Sequence, residues 1–245
     1  MYTSNNMANS FVFAMALIAL YDTWLMCRIY TSSIPMVFMK TLSLFYIFQC
    51  AFRSIFVSNY VTQTTTTNNP LNSPLLARLF AFIGETCFII QLGYYFNKNY
   101  ESNFLFSFLV CSNLYAQIVS TIGTCTKIIG NFVIEGILWL QIFATLYVWS
   151  MFIYIEDDSK SLFVKSAVAC MCLCIYMATV YIPYTVEQRR TMNYQVDMTI
   201  VEKIKHAFFF KNVNTSWEEW KNEALWQMPY FLLGPAVSAT LCFLS

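Results

Sequence analysis

The sequence has little charge: Asp, Glu, Lys and Arg together make up 11% of its 245 residues. Soluble domains average about 25% charged residues, so this chain carries less than half of the usual solvating charge. Apolar residues make up 58% and occur in long runs. Runs of about 20 apolar residues are typical of transmembrane helices. The composition therefore excludes an ordinary soluble domain and predicts an all-α polytopic membrane helix bundle.

The sequence also has no excess of basic residues, only one histidine and no recognisable catalytic motif. The net charge is +1, which gives no basic field for nucleic acid. His206 is the single histidine and is expected to be a solvated loop residue, so His-cluster metal sites and bis-His haem are excluded. The sequence has no Walker motif, nucleophile elbow or dinucleotide fingerprint. We predict no cofactor and no metal, and an enzyme is the least favoured class.

Cysteine is present, but not in a pattern that predicts chemistry. Most of the nine cysteines fall inside hydrophobic segments, where they are expected to act as small apolar residues. On a helix, Cys170 and Cys174 share a face while Cys172 points away, so three metal ligands would not converge. The last apolar run, 222–244, contains no lysine, which excludes a retinal Schiff base of the usual rhodopsin type.

The apolar runs predict seven transmembrane helices in a single integral membrane domain, 1–245. No basic residue precedes the first run, so that segment is expected to stay as a helix rather than act as a cleaved signal peptide. Pro35 and Lys40 interrupt the second run, and a bundle of six helices is the alternative. The seven predicted spans are about 10–30, 35–57, 75–96, 103–123, 130–154, 162–184 and 222–244.

Two connections are longer than the others: a polar, uncharged loop at 58–74 and a charged loop at 185–221. The positive-inside rule compares Lys and Arg between the two sides. It places the N-terminus and the loop 185–221 in the cytoplasm, because that side holds most of the basic residues. The sequon Asn214-Thr215-Ser216 would favour the opposite orientation if it were glycosylated, but such tripeptides often arise by chance.

The charged loop contains one predicted helix and precedes another. Val196, Ile200, Val201, Ile204 and Phe208 recur at helical spacing, which is typical of a helix lying in the membrane interface. The alternative is an amphipathic helix packed on the bundle. Further on, Ser216 and Glu219 have the spacing of a capping box for the last helix. Pro229 and Gly234-Pro235 predict a kink in that helix.

Charged residues inside the spans are the main functional signal, because each costs about 2.5–3.5 kcal/mol at a helix centre and usually faces the bundle interior. Consecutive spans are antiparallel, so the end of one span shares a membrane half with the start of the next. This parity places most of the polar residues in the half that adjoins the loop 185–221. The candidate charged residues within the predicted spans are Asp22, Lys40, Arg53, Arg78, Glu85, Glu135 and Lys165.

The parity argument defines one predicted site, a polar cavity open on one side of the membrane. Arg53 with Glu85, and Arg78 with Glu135, are the predicted pairs, although the sequence does not choose between possible pairings. Arg53 and Arg78 lie near span ends, where long basic side chains can snorkel. Asp22 and Lys40 form a second predicted pair towards the other side. The residues predicted to line the binding or transport pathway are Arg53, Arg78, Glu85, Asn113, Gln117, Glu135 and Gln227.

Three functions fit these residues. The first is a transporter or channel whose cavity admits an ion, an anionic solute or a lipid headgroup. The second is a non-catalytic subunit or scaffold, alone as a homo-oligomer or within a larger membrane complex, whose buried charges fix helix register. The third is a membrane enzyme or receptor acting on a lipid-like ligand. The lipid bilayer is the expected surrounding in all three, and transport is favoured over assembly.

Overall fold

The computed structural model describes residues 2–34, 36–59, 61–156, 161–191, 199–209 and 212–245. Within them the chain is almost entirely helical, with three two-residue strands and one π-helical segment. In chain order these elements are α1 (Tyr2–Thr31), α2 (Val37–Ile55), β1 (Ser58–Asn59), β2 (Thr64–Thr65), α3 (Pro74–Asn99), α4 (Asn103–Thr126), α5 (Ile129–Glu156), α6 (Ser161–Tyr176), the π segment (Met177–Tyr181), α7 (Ile182–Thr191), α8 (Ile200–Phe209), β3 (Asn212–Val213) and α9 (Trp217–Leu244).

Six helical stretches in the described part of the chain are long and apolar enough to cross a membrane. α2, which corresponds to the second predicted span, is not one of them. It has 19 residues, and Lys40, Gln49 and Arg53 lower its mean hydropathy. The all-α fold is confirmed, whereas the count of seven spans is not. The six stretches are Asn9–Thr31, Pro74–Asn99, Asn103–Thr126, Ile129–Glu156, Leu162–Glu187 and Trp217–Leu244.

Burial follows the pattern of a protein surrounded by lipid. Large apolar side chains such as Leu20, Phe104 and Ile155 are exposed on the long helices, by 68%, 75% and 73%. Carboxylates, guanidinium groups and amides are buried among the same helices. In hydrocarbon, apolar groups can face outward without cost, and polar groups must find partners inside. The exposed apolar surface therefore agrees with the composition in identifying membrane helices.

Serine and threonine satisfy many of the helix polar groups locally. The Ser73 hydroxyl accepts from the Leu76 amide at 3.3 Å at the start of α3, and the Ser102 hydroxyl accepts from the Leu105 amide at 3.4 Å before α4. Within the spans, several hydroxyls donate to the carbonyl four residues earlier, which satisfies them locally in an apolar surrounding. Such bonds are made by Thr23, Thr86, Thr121, Thr145, Ser150, Thr179 and Thr240.

The helices form two compact units, and the boundary falls inside α3. The first unit comprises Met1–Gln91, Thr124–Thr126 and Met198–Ser245. In it α1 packs against α2 and α9. One apolar cluster joins residues of these helices around Ile18, Tyr46 and Phe231, and another lies around Leu25, Ile47 and Ala239. The prediction of one integral membrane domain stays a prediction.

The second unit comprises Leu92–Gly123 and Lys127–Asp197, and in it α5 packs against α6. Its aromatic core includes Trp149, whose ring centroid lies 5.5 Å from that of Phe96, and Phe163, whose ring stands at 90° to Phe96. α6 continues through the π segment into α7. On α6, Cys170 is buried and Cys172 is exposed, as the predicted helical spacing requires.

Part of the polar loop 58–74 is folded and buried rather than solvated. β1 pairs with β2 in antiparallel fashion, and β2 pairs with β3 in parallel fashion. Gln63 and Thr64 are 2% and 1% exposed, and the Gln63 amide donates to the Thr124 carbonyl at 2.8 Å. The sequence of this loop has neither charge nor apolar periodicity, so it gave no indication of burial. Its hydrogen-bond partners come from distant parts of the chain, which a local pattern does not identify.

α8 confirms a helix in the charged loop from Ile200 onward, while Val196 lies outside the described residues. Ile200, Val201 and Ile204 leave an exposed apolar face. The other side packs inward through Ala207, whose carbonyl accepts from the Ser73 hydroxyl. A position in the membrane interface stays a prediction.

The expectation that His206 is a solvated residue is wrong. His206 is half-buried, and its Nδ1 lies 2.9 Å from Oε1 of Gln63. The reason is the folded loop 58–74, which brings Gln63 against α8. His206 is therefore a contact between α8 and this loop.

The capping box was predicted at the start of α9, but the structure has it at the start of α8 instead. The Ser216 side chain makes no cap bond, and the Ser216 amide donates to Oδ1 of Asn214 instead. Glu219 accepts from the Thr62 hydroxyl at 2.8 Å. The reciprocal pattern occurs before α8, where Thr199 donates to Glu202 through both its amide and its hydroxyl, and the Glu202 amide donates back.

Glu202→Gln is expected to loosen the start of α8 at neutral pH. The two bonds from Thr199 hold the pKa of Glu202 below its ordinary value. A carboxylate with a lowered folded-state pKa stabilises the fold above its unfolded pKa, and the contribution is lost as pH falls through the folded pKa. Amide hydrogen exchange over 200–209 should be faster in the variant at neutral pH and equal to wild type in acid. Lys205→Gln is the control, and equal exchange in Glu202→Gln at neutral pH would contradict the prediction.

Candidate functional site

An ion pair between Arg53 and Glu85 lies at the centre of the first unit. Nη1 of Arg53 is 3.2 Å from Oε1 of Glu85, and the two side chains are 4% and 7% exposed. Arg53 is in the last turn of α2, and Glu85 is in the middle of α3. This predicted pair is confirmed. The expectation that Arg53 and Arg78 snorkel is wrong, because both residues are buried, at 4% and 1% exposure.

Two residues that sequence reasoning missed complete this centre. Oε1 of Gln49 accepts from Nη1 of Arg53 at 3.1 Å. The Tyr230 hydroxyl donates to Oε1 of Glu85 at 2.9 Å. The Arg53 guanidinium also lies 4.9 Å from the ring centroid of Phe231, a cation–π distance. We define the Glu85 centre as Gln49, Arg53, Glu85 and Tyr230.

The spacing of Gln49 and Arg53 in the sequence could have predicted their contact. The two residues are four apart on α2 and therefore share a helix face. Nothing local marks Tyr230, because a tyrosine near a membrane interface is common and gives no indication of its partner.

Gln227 belongs to a second buried network, at the start of α9. Its amide donates to Oε2 of Glu223 at 2.9 Å. Glu223 is 3% exposed and also accepts from Asn59 at 3.0 Å and from the Trp226 indole at 2.9 Å. Sequence reasoning missed Glu223 because its position near the end of a span is typical of an exposed interfacial charge.

A third network lies deeper in the same unit and contains no charge. Nε2 of Gln91 donates to the Ser43 hydroxyl at 2.6 Å and to the Ser238 carbonyl at 2.9 Å. The Ser238 hydroxyl donates to Oε1 of Gln91 at 2.7 Å. All three side chains are fully buried. Because uncharged polar residues are common in membrane helices, they did not stand out in the sequence.

The three networks share one side of α9. Glu223, Gln227, Tyr230 and Ser238 recur at helical intervals, and Gly234 falls on the same side. We call these five residues the polar face of α9. From Glu223 to Ser238 this face is about 22 Å long at 1.5 Å per residue. It therefore extends through most of a hydrocarbon layer of about 30 Å.

The predicted pair of Asp22 and Lys40 is wrong. Both carboxylate oxygens of Asp22 are buried without a hydrogen-bond partner. Lys40 donates instead to the carbonyls of Tyr30 and Ser32, at 2.8 and 3.0 Å. The end of α1 leaves carbonyl groups without helical donors, and a lysine ammonium is a favoured partner for them.

In the second unit, Glu135 is 3% exposed. Oε2 of Glu135 accepts from the Ser120 hydroxyl at 2.6 Å and from the Tyr181 hydroxyl at 3.4 Å. Gly136 makes the approach of Tyr181 feasible, since a Cβ there would lie 3.1 Å from its ring. Tyr181 ends the π segment, a feature often found at functional sites.

The remaining predicted residues are also buried, and they are divided between the units. Gln117 donates to Asn113 at 3.4 Å in the second unit. The first unit holds Arg53, Arg78, Glu85 and Gln227, and the second holds Asn113, Gln117 and Glu135. A single cavity lined by all of them, and the pairing of Arg78 with Glu135, stay predictions.

Comparison with protein-family models, with curated proteins and with solved structures finds no match. The class of protein therefore comes from the chain itself. Six long apolar helices, with apolar side chains outside and polar networks within, define a multi-pass integral membrane protein.

Proposed function

We propose that this protein is a transporter or channel for an ion or small solute, with the Glu85 centre on its pathway. The observation that carries the proposal is the buried pair of Arg53 and Glu85, extended by the polar face of α9. Ionisable residues inside membrane helices are costly, and they commonly mark ion pathways and proton relays. A structural role alone does not require polar groups over most of the membrane depth.

The shape of α9 supports movement at this site. Pro229 and Pro235 lie inside the helix, and each removes one backbone hydrogen bond. Interrupted helices are common where transporters bind their substrates. Tyr230 and Gly234 of the polar face lie beside these two prolines, so bending of α9 would move Tyr230 relative to Glu85.

The proposal includes seven spans, with α2 as the seventh and the N-terminus in the cytoplasm. α2 supplies Arg53 and Gln49, so its lower hydropathy follows from its share of the polar centre. With seven spans, the loops that share the N-terminal side hold the larger number of basic residues, as the positive-inside rule requires. Those residues are Lys127, Arg189, Arg190, Lys203, Lys205, Lys211 and Lys221, against Arg28, Lys98 and Lys160 on the other side.

Glu85→Gln is expected to reduce flux to the level of empty liposomes without unfolding the protein. The amide keeps the shape of the carboxylate and can still accept from Tyr230, but it removes the charge that pairs with Arg53. Trapped pyranine would report protons, and a potential-sensitive dye would report Na⁺, K⁺ and Cl⁻ gradients. Wild-type protein should move at least one of these ions faster than empty liposomes.

Glu218→Gln is the matched control, because Glu218 is a carboxylate of the same unit with a 74% exposed side chain. This variant should transport like the wild type. If wild-type liposomes pass none of the four ions, or if Glu85→Gln passes them at the wild-type rate, ion transport through the Glu85 centre is contradicted.

One observation favours a second function, that of a subunit in a larger membrane assembly. The side chains of the Glu85 centre bond to one another, since Arg53 donates to Gln49 and to Glu85 while Tyr230 donates to Glu85. A network of this kind can fix helix register without moving anything. This function predicts partner chains that copurify in mild detergent and a Glu85→Gln variant that still assembles with them.

A further inference from the structure

Asp22 is a buried carboxylate outside the Glu85 centre. It lies in α1 with 0% exposure, and neither of its oxygens has a hydrogen-bond partner. An ionised carboxylate without a partner in an apolar interior costs far more than a neutral one, so such a group takes up a proton or a cation. The residues around Asp22 distinguish a bound proton from a bound metal cation.

The packing of α1 against α9 shows which part of α9 lies at the same height along the bundle as Asp22. Ile18, four residues earlier, shares a core cluster with Phe231, and Leu25, three residues later, shares another with Ala239. Asp22 is therefore level with the part of α9 between Phe231 and Ala239, which contains Pro235. Because Pro235 has no N–H, the carbonyl of Phe231 lacks its helical donor.

The titratable groups on the helices packed against α1 are few. On α2, Tyr46 and Cys50 lie in the same core cluster as Ile18. On α9, Cys242 lies in the cluster of Leu25, and Tyr230 is bonded to Glu85. The nearest basic groups of α2 are engaged elsewhere, since Lys40 binds carbonyls at the end of α1 and Arg53 binds Glu85.

These neighbours fit a proton better than a metal ion. Hard cations such as Ca²⁺ and Mg²⁺ require six or more oxygen ligands, or tightly held waters. The buried residues of the two clusters beside Asp22 are apolar apart from two thiols, a phenol and an indole. Among the described residues, no group of three or more Asp, Glu, His or Cys could hold a metal ion. We propose that Asp22 is a proton-binding site inside the α1–α2–α9 bundle. The inference goes beyond the proposed function and does not depend on it.

The site also has a polar connection to the Glu85 centre. Nε2 of Gln49 lies 2.9 Å from Sγ of Cys50, and Gln49 accepts from Arg53. Cys50, which is in the core cluster beside Asp22, thus joins the level of Asp22 to the Glu85 centre.

Infrared spectroscopy of the protein in lipid nanodiscs tests the proposal directly. A protonated carboxyl has a C=O stretch at higher frequency than a carboxylate. At neutral pH, Asp22→Asn should lose intensity equivalent to one protonated carboxyl, while the control Glu218→Gln should lose none. Unchanged intensity in a folded Asp22→Asn variant would overturn the proposal, and neither result depends on transport.

If Asp22→Asn fails to fold, the wild-type protein still provides a test. Dicyclohexylcarbodiimide reacts with protonated carboxyls in apolar surroundings. The carboxyl oxygen bonds to the carbodiimide carbon, the proton moves to one nitrogen and nothing leaves. Mass spectrometry should find this adduct on the peptide that contains Asp22. Adducts on other carboxyls but none on Asp22 would overturn the proposal.

Discussion

Arg53→Met is expected to destabilise the protein by about 3–5 kcal/mol, the usual cost of removing one partner from a buried ion pair. Methionine keeps much of the unbranched apolar stem of the side chain, but it leaves the Glu85 carboxylate buried without its counterion. The free energy of unfolding in mixed micelles, measured for wild type and variant, checks the prediction.

A double variant separates the charge effect from lost packing. Arg53→Met with Glu85→Gln should be less destabilised than Arg53→Met alone, because no bare charge remains and Tyr230 keeps an acceptor. Lys221→Met is the control, since it breaks an ion pair with Glu218 that is 46% and 74% exposed. Exposed pairs contribute about 0–1 kcal/mol. If Arg53→Met costs no more than Lys221→Met, the buried pair does not hold the first unit together.

Gly84→Ala is expected to destabilise the protein by about 1–3 kcal/mol, as overpacking usually does. A Cβ on residue 84 would overlap Cγ of Gln49 and lie 3.0 Å from its Cβ and Cδ. Gln49 would have to move as a whole, and its bond to Arg53 at 3.1 Å would be strained or lost. The free energy of unfolding should fall, and flux should fall with it if the Glu85 centre transports.

Gly130→Ala provides a control of opposite sign. Gly130 is also helical, at the start of α5, and a Cβ there would meet only Cγ2 of Ile128, at 4.0 Å. Replacing an unconstrained helical glycine by alanine stabilises a protein by about 0.4–1 kcal/mol, because the unfolded chain loses freedom. If both alanine variants are stabilised, the close approach of Gln49 to Gly84 does not constrain the first unit.

The helices were largely predictable because each is an apolar run whose length is set by the membrane. α3 was predicted at about 75–96 and is Pro74–Asn99, and α5 was predicted at about 130–154 and is Ile129–Glu156. Polar residues inside such runs were recognisable for the same reason, since each departs from an apolar background. Arg53 with Glu85 was one plausible pairing because antiparallel helices place both residues in the same half of the bundle, but the sequence could not choose among the pairings.

The partners of these residues were less predictable. Gln49 and Tyr230 are unremarkable in sequence, and Tyr230 is 145 residues from the carboxylate to which it donates. Asp22 and Lys40 had the right charges and nearby depths, yet Lys40 binds the end of α1. Opposite charge and similar depth do not fix rotation about a helix axis, and rotation decides which groups meet.

The sequence by itself determined the class of this protein, its helices and the residues that carry charge into the membrane, because these follow from the free energy of transferring each side chain into hydrocarbon. The tertiary structure alone decided that part of the loop 58–74 is buried, that α9 presents one polar face, that Glu85 bonds to Tyr230 and that Asp22 has no hydrogen-bond partner. These properties depend on how the helices rotate and pack against one another, which the hydropathy of a single segment does not specify.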